Sequence, residues 1–304
     1  MALKLSIDAL EVIDSIARKG SFSAAAESLF RVPSALTYTV KKLEDDLGVI
    51  LFDRSGHRAI LTEAGAELLK EGRYLLEAAQ ALESRVKRVA NGVETDIGIA
   101  ISDLFTNSAI FKILDEFYTL GFGTRVRVTR EVFGGSWDAL LTERADISVG
   151  APGDAPPSGT CSSSLIGHIE FVFAVAPHHP LAQMTEPLQN QDIVQYRSIA
   201  AADSSRNLAP RTSGILTGQD TLTVHDMQSK LEAQVLGLGV GYLPIKMAQF
   251  YAAQGLLVIK QVAEPKNTAP TFLAWRNNGK NGIGKAQQWL LKKLEKLTLD
   301  DLLT

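Results

Sequence analysis

Between Thr62 and Ala90 the chain has no proline, and Leu61, Leu68, Leu75, Leu82 and Val89 recur at intervals of seven. A heptad stripe of this length predicts one long helix with an apolar seam, and so forces the residues before and after it into separate units. Gly65 and Gly72 share the seam, which suits close helix approach better than an ideal coiled coil. The expected role of residues 63–91 is a dimerising linker helix. A chain of 304 residues, 45% apolar and 21% charged, is long enough for two or three globular cores.

Ahead of the stripe, residues 1–62 read as three short helices and a hairpin. Ile7, Leu10, Val12, Ile13 and Ile16 form a helical apolar face, with Ser6 as N-cap and Gly20 as stop. Ser23 is the expected cap of a second helix carrying Ala24, Ala25 and Ala26, small residues that let a neighbour approach. Pro33 and Ser34 open a third helix on Leu36, Val40, Leu43 and Leu47, and Gly48 ends it. Val49 to Arg54 and Ala59 to Thr62 then flank a Ser55-Gly56 turn, as in a small wing.

Beyond Asn91-Gly92 the pattern alternates strand and helix. Ile97–Ile101, Ile110–Leu120, Arg125–Glu131, Trp137–Glu143 and Asp146–Val149 predict βαβαβ and a parallel sheet. Pro152, Pro156, Pro157 and the Ser162-Ser163-Ser164 run suggest a crossing into a second α/β unit. Its expected elements are Glu170–Val175, Ser198–Ala202, the helix Val224–Leu236 and Gly241–Leu243. A return near Lys266–Pro270 leads to a strand at Thr271–Trp275 and a closing helix at Gln287–Leu297. The fold class is thus α/β multi-domain, with lobe 1 expected at 92–163 and 268–304 and lobe 2 at 164–267. Two lobes joined by two crossings predict a cleft for a small ligand.

Several function classes recede at this point. The longest uncharged apolar stretch, Val235–Ile245, has eleven residues with three glycines and a proline, so no membrane span and no membrane partner are expected. Asp8, Glu11 and Asp14 interrupt the N-terminus, which predicts a cytoplasmic chain without a secretory signal. A lone Cys161 precludes an internal disulfide, and no nucleophile elbow, phosphate loop or zinc-protease motif occurs, so neither enzyme nor cofactor is expected. His178-His179 reads as a turn, and Gly237 to Gly241 as a helix-to-strand turn. Net charge is −3, and the first 62 residues balance eight Lys/Arg against eight Asp/Glu. Any nucleic-acid surface must therefore arise from local segregation of charge.

Gly20 to Ala26, Pro33 to Tyr38, Lys42-Leu43-Glu44-Asp45-Asp46-Leu47-Gly48, Leu51 to Arg54 and Leu61 to Gly65 resemble, in order and spacing, the winged helix-turn-helix of LysR-type transcriptional regulators. Arg144-Ala145-Asp146-Ile147, Ala176 to Leu181 and Gly237 to Pro244 are similar to that family's effector domain, of periplasmic-binding-protein type. The resemblance implies a homodimer or a dimer-of-dimers tetramer on double-stranded DNA with a partly palindromic site, a small-molecule effector and, for an activator, RNA polymerase as a further partner. It places Ser23, Pro33, Ser34, Thr37, Tyr38, Lys41 and Lys42 of the helix pair, and Arg54, His57 and Arg58 of the wing, at the DNA. Thr37-Tyr38 replaces a common Ser-Arg, which leaves this stripe without an arginine fork for guanine and shifts weight to shape readout.

For the cleft, the resemblance points to the loops carrying Ser102, Asp103 and Phe105, then Glu131 and Phe133, then Asp203 and Ser204. Convergence of two of the three acids Asp103, Glu131 and Asp203 in the cleft, with Phe105, Phe133 and Trp137 as aromatic faces, predicts a cationic ligand such as an amine as effector. A small-molecule carrier would explain the lobes and not the first ninety residues. An architectural DNA binder would explain those ninety and leave the lobes idle.

Overall fold

The computed structural model describes residues 4–53, 59–153, 159–277 and 282–303. It divides into two compact units, Met1–Asn91 and Gly92–Thr304.

The first unit contains α1 (Ile7–Lys19), α2 (Phe22–Ser28), α3 (Pro33–Leu47), the hairpin β1 (Phe52–Asp53) and β2 (Ile60–Leu61), and α4 (Glu63–Ala90). Val12, Ile13 and Ile16 of α1 bury against Ala25 and Ala26 of α2 and Leu36, Val40 and Leu43 of α3, as the apolar spacing requires. Gly20 and Gly48 end their helices in left-handed conformation, φ 75° and 71°. The cap of α2 is Ser21, whose hydroxyl accepts the Ala24 N–H; Ser23 lies inside the helix with its side chain exposed. The alanines serve the predicted purpose, but the cap sits two residues earlier because its residue must be extended.

Leu61 belongs to β2, so the heptad stripe enters the helix only at Leu68. The N-terminal half of the seam is used inside this unit. Leu69 joins the core, Gly65 faces the Leu51 carbonyl, and Gly72 faces Leu10. The C-terminal half is bare in the single chain, with Leu75, Leu82, Val86 and Val89 exposed.

In the second unit, β3 (Asp96–Ser102), β4 (Arg125–Glu131) and β5 (Ile147–Pro152) alternate with α5 (Ser108–Thr119) and α6 (Gly135–Leu141). The strands pair in parallel, as read from the sequence. β6 (Cys161–Ile169) follows, the first strand of the other lobe is β7 (Phe171–Val175), and the short helices α7 (Pro180–Gln183) and α8 (Asn190–Ile193) come next. The rest of that lobe is β8 (Ser198–Ala201), β9 (Thr221–Val224), α9 (Met227–Val235), β10 (Gly241–Pro244), α10 (Ile245–Ala253) and β11 (Val258–Lys260). β12 (Ala269–Arg276), α11 (Lys285–Leu294) and α12 (Leu299–Leu303) return to the first lobe.

The first sheet runs β4-β3-β5-β12-β6, with β12 antiparallel to both neighbours. Ser162-Ser163-Ser164 is therefore strand and not crossing. Those serines pair with Trp275, Ala274 and Leu273, and the lobe continues to Ile169 rather than ending at 163. Serines fit an edge strand because one face needs no apolar burial, and this hid the strand from a pattern reading. In the second lobe, β7 lies antiparallel between β10 and β11, and β8-β9 is parallel. The Ile199 N–H donates to the Val240 carbonyl at 2.9 Å and joins the two pieces. Helix α10 falls in a stretch to which the sequence reading assigned no element.

Candidate functional site

The exposed face of α3 carries Pro33, Ser34, Tyr38, Lys41 and Lys42, opposite its buried Leu36, Val40 and Leu43. Pro33 occupies the first turn, where its missing N–H leaves no unmet donor. Thr37 is half-buried, and its hydroxyl donates to the Pro33 carbonyl at 3.0 Å. That proton is committed within the helix, which leaves the oxygen as an acceptor only. Sequence reasoning overlooked Glu44, whose Oε1 accepts the N–H groups of Leu51 (2.8 Å) and Phe52 (3.3 Å) and so fixes the wing's first strand to α3. It also overlooked the apolar tip at the turn before α3, where Phe30 is 97% exposed beside exposed Val32. Arg54, His57 and Arg58 lie outside the described residues.

In the second unit the carboxyl ends of β3 and β4 meet the amino ends of α9 and α6. A cavity of about 270 Å³ lies between the lobes there. Of the residues named from the sequence, Ser102, Asp103 and Phe133 line it, together with Val132, Phe171, Met227, Lys230, Tyr242, Lys266 and Arg211. Asp103 follows β3 directly, and its Oδ2 accepts the Met227 N–H at 2.9 Å, so a carboxylate of one lobe holds the first turn of α9 in the other. Burial pushes Asp103 up to about 6, against the pull of that N–H and of Arg130.

Two other predicted acids do not reach the cavity. Glu131 is buried and bonded to Arg144 (2.5 Å) and to the Ser204 hydroxyl (2.6 Å). Asp203 accepts the N–H groups of Gly134 (3.2 Å), Gly135 (3.1 Å), Ser205 (2.8 Å) and Arg211 (2.7 Å), and so caps the entry to α6. Ser204 accepts the Val132 N–H at 2.8 Å, which makes it a stitch between lobes and not part of the cavity wall. Phe105 and Trp137 are core residues, 2% and 0% exposed; the indole N–H donates to the Pro152 carbonyl at 3.0 Å. Helix capping, an ion pair and core packing thus claim four of the residues whose convergence predicted a cationic ligand.

The contact between the two lobes has a charged centre that the sequence did not disclose. Arg144 bridges Glu131 and the fully buried Asp138, the latter at 3.0 Å, and Asp138 also accepts the N–H groups of Arg206 and Asn207. Burial alone would raise Asp138, but Arg144 and these two N–H groups outweigh it and hold the carboxyl below its ordinary value.

The cavity's own charge comes mainly from lysines. Lys230, one turn into α9, is 6% exposed, and burial with the nearby Lys266 lowers it to about 8. Burial lowers Lys266 to about 8 as well, and its Nζ sits 3.9 Å from the centre of the Phe171 ring. The sequence held one signal for Lys230. It lies three residues after Met227, on the same helical face, and next to Leu231, and both are buried.

The raised Asp103 predicts a pH dependence. Above pH 6 the folded chain holds this carboxylate against a desolvation penalty that the unfolded chain lacks, worth about 3 kcal/mol for a two-unit shift. Asp103→Asn keeps an acceptor for Met227 and removes the penalty. It is expected to raise the melting temperature at pH 7.5, with a gain that shrinks as pH falls through 6 and vanishes near 4. A gain equal at both pH values would refute the buried-charge account.

Residues 7–66 match the family described as "Bacterial regulatory helix-turn-helix protein, lysR family", and residues 90–294 match "LysR substrate binding domain". The chain is 41% identical over 287 residues to the uncharacterized HTH-type transcriptional regulator YeeY of Escherichia coli K12, covering 94% of this chain and 92% of that one. It is 39% identical over 295 residues to the probable HTH-type transcriptional regulator YhaJ of the same strain, covering 96% and 97%. Among solved structures, the OxyR C206 mutant of Corynebacterium glutamicum aligns over 97% of this chain and 94% of its own with TM-score 0.63 at 17% identity, a likeness of fold. No helix among the described residues is long and apolar enough to cross a membrane. With both family regions matched in order across most of its length, the chain belongs to the LysR family of DNA-binding transcriptional regulators and carries that family's effector-binding domain.

Proposed function

We propose that this regulator responds to a small anionic ligand, and not to an amine, held in the cavity between the lobes. The observation that carries this reading is the charge of the wall, where, among the described residues, Lys230, Lys266 and Arg211 face one acid, Asp103. An anion entering there would offset the buried ammonium of Lys230 and the half-buried one of Lys266, whereas an amine would add a third cation. The apolar remainder of the wall, Val132, Phe133, Phe171 and Met227, suits a short hydrocarbon body attached to that charge. Because Asp103 ties β3 to α9 beside Lys230, a bound anion would favour one arrangement of the lobes over another. In a thermal-shift comparison of matched carboxylates and amines with the full chain, carboxylates should raise the melting temperature and amines should not. Stabilisation by amines alone would reverse the reading.

On the DNA side, the proposed contacts are Pro33, Ser34, Tyr38, Lys41 and Lys42 of α3, with Ser23 and the wing residues Arg54, His57 and Arg58 bracing the backbone. Tyr38→Ala is expected to weaken binding in a gel shift without lowering the melting temperature, since the ring is 69% exposed. The minimal unit is a homodimer joined through the bare half of α4, where Leu82 and Val89 continue the heptad and Val86 lies between them. Leu82→Glu should convert the dimer to monomer in sedimentation velocity at micromolar concentration. A dimer unchanged by that substitution would place the interface elsewhere.

A further inference from the structure

Two buried lysines of the second unit stand in contrast. Lys260, 8% exposed, donates to the carbonyls of Ala182 (3.2 Å) and Met184 (2.9 Å) and pairs with Glu186 at 3.1 Å, the full set an ammonium needs. Lys230, 6% exposed, makes no hydrogen bond or ion pair with any described residue, and lies in the wall of the inter-lobe cavity. Its Nζ lies against the backbone of β10, 3.3 Å from where a Cβ on Gly241 would stand. A buried ammonium with no partner is strongly disfavoured, and a neighbouring cation disfavours it further.

From this placement we infer that Lys230 captures a carbonyl-bearing carboxylate, a 2-oxo or aldehyde acid, as a reversible imine in the inter-lobe cavity. The inference rests on the anion reading above, since Lys266 and Arg211 would hold the carboxylate while Lys230 meets the carbonyl carbon. Burial and the charge of Lys266 keep a substantial share of Lys230 as free amine near pH 8, the form that reacts. The nitrogen lone pair attacks, a C–N bond forms, and the proton leaving nitrogen passes to the carbonyl oxygen to give a carbinolamine. The C–O bond then breaks, and the departing hydroxyl takes a proton from the acid form of Asp103 and leaves as water. The product is a protonated imine beside the Asp103 carboxylate. Amine and carbonyl give imine and water, with no oxidant or reductant.

The test treats the full chain with glyoxylate or pyruvate, reduces with sodium borohydride, and reads intact mass and peptide map from pH 6 to 10. The expected result is one adduct, on the peptide holding Lys230, with a rate that is level between about pH 6 and 8 and falls at higher pH, where the acid form of Asp103 keeps declining and no further Lys230 amine is gained, while labelling of exposed lysines keeps rising. It should be absent from Lys230→Met, which is expected to fold with an undiminished melting temperature because an apolar side chain replaces a buried charge. Adducts spread over exposed lysines, or none at all, would overturn the inference. Thermal stabilisation by propionate, which has no carbonyl to capture, is read in parallel. Stabilisation without an adduct removes the imine and leaves the anion reading standing, whereas absence of both removes both.

Discussion

Arg144→Met is expected to lower the stability of the 92–304 unit by about 3–5 kcal/mol, the range for breaking a buried ion pair from one side. The guanidinium is the common partner of Glu131 and Asp138, 4% and 0% exposed, so its removal strands two carboxylates. The Ser204 hydroxyl and the N–H groups of Arg206 and Asn207 remain, but none carries a full charge. The sign of the pH dependence separates this account from simple loss of packing. In the wild type, Asp138 lies below its ordinary value, so its contribution is present at neutral pH and is lost as pH falls through that lowered value. In the variant the stranded Asp138 carboxyl should titrate upward instead, so the deficit is greatest at neutral pH and narrows in acid as it takes up a proton. Denaturant melts at pH 7.5 and pH 4.5 read this directly, and a deficit that is the same at both would contradict the ion-pair account.

Gly65→Val is expected to unfold the first unit at temperatures where the wild type is intact. A Cβ on Gly65 would stand 2.1 Å from the Leu51 carbonyl oxygen and 3.0 Å from the Leu61 Cδ2. The first obstacle is backbone, fixed by the Thr62 N–H bond to the same Leu51 carbonyl at 3.0 Å and by the Thr62 hydroxyl bond to the Ile50 carbonyl at 2.7 Å. The Leu51 carbonyl cannot rotate away as the Leu61 methyl can, so the helix start and the hairpin must separate, at a cost above about 3 kcal/mol, beyond ordinary overpacking. Calorimetry should show the transition of the 1–91 unit displaced downward and that of the 92–304 unit in place. An unchanged profile would mean that α4 does not approach the hairpin as closely as Gly65 implies.

These two sites differ in how far the sequence disclosed them. Gly65 stood out because a glycine on an apolar seam has no purpose there except close approach, and periodicity alone flags it. The Glu131–Arg144–Asp138 centre did not stand out, because its members come from a strand, a loop and a helix that only the tertiary fold assembles. The helices of the first unit were legible from the spacing of Ile13, Ile16, Leu36, Val40 and Leu43, and the parallel strands β3, β4 and β5 from their alternation with helices. The serine edge strand was not, since it lacks an apolar face. In the cavity, Asp103 was found for a sound reason, its place after a parallel strand. The same reason misassigned Asp203 and Glu131, whose carboxylates satisfy backbone N–H groups and Arg144 before any ligand arrives. Lys230 and Lys266 were passed over because a lysine in sequence looks like surface, and only Met227 and Leu231 beside Lys230 marked that face as buried.

Occupancy of the inter-lobe cavity is expected to change the affinity of the chain for DNA. DNA selected from a random pool by the full chain would be titrated by fluorescence anisotropy without and with the carboxylate that gives the largest thermal shift, at fixed salt. The account predicts at least about a five-fold change in affinity, the lower end of ordinary coupling between sites. It predicts no change for the Lys230→Met, Lys266→Met double variant, whose unliganded affinity stays at the wild-type value. Equal affinity of the wild type with and without saturating ligand would contradict it and leave a chain that binds DNA while its lobes bind a ligand to no effect.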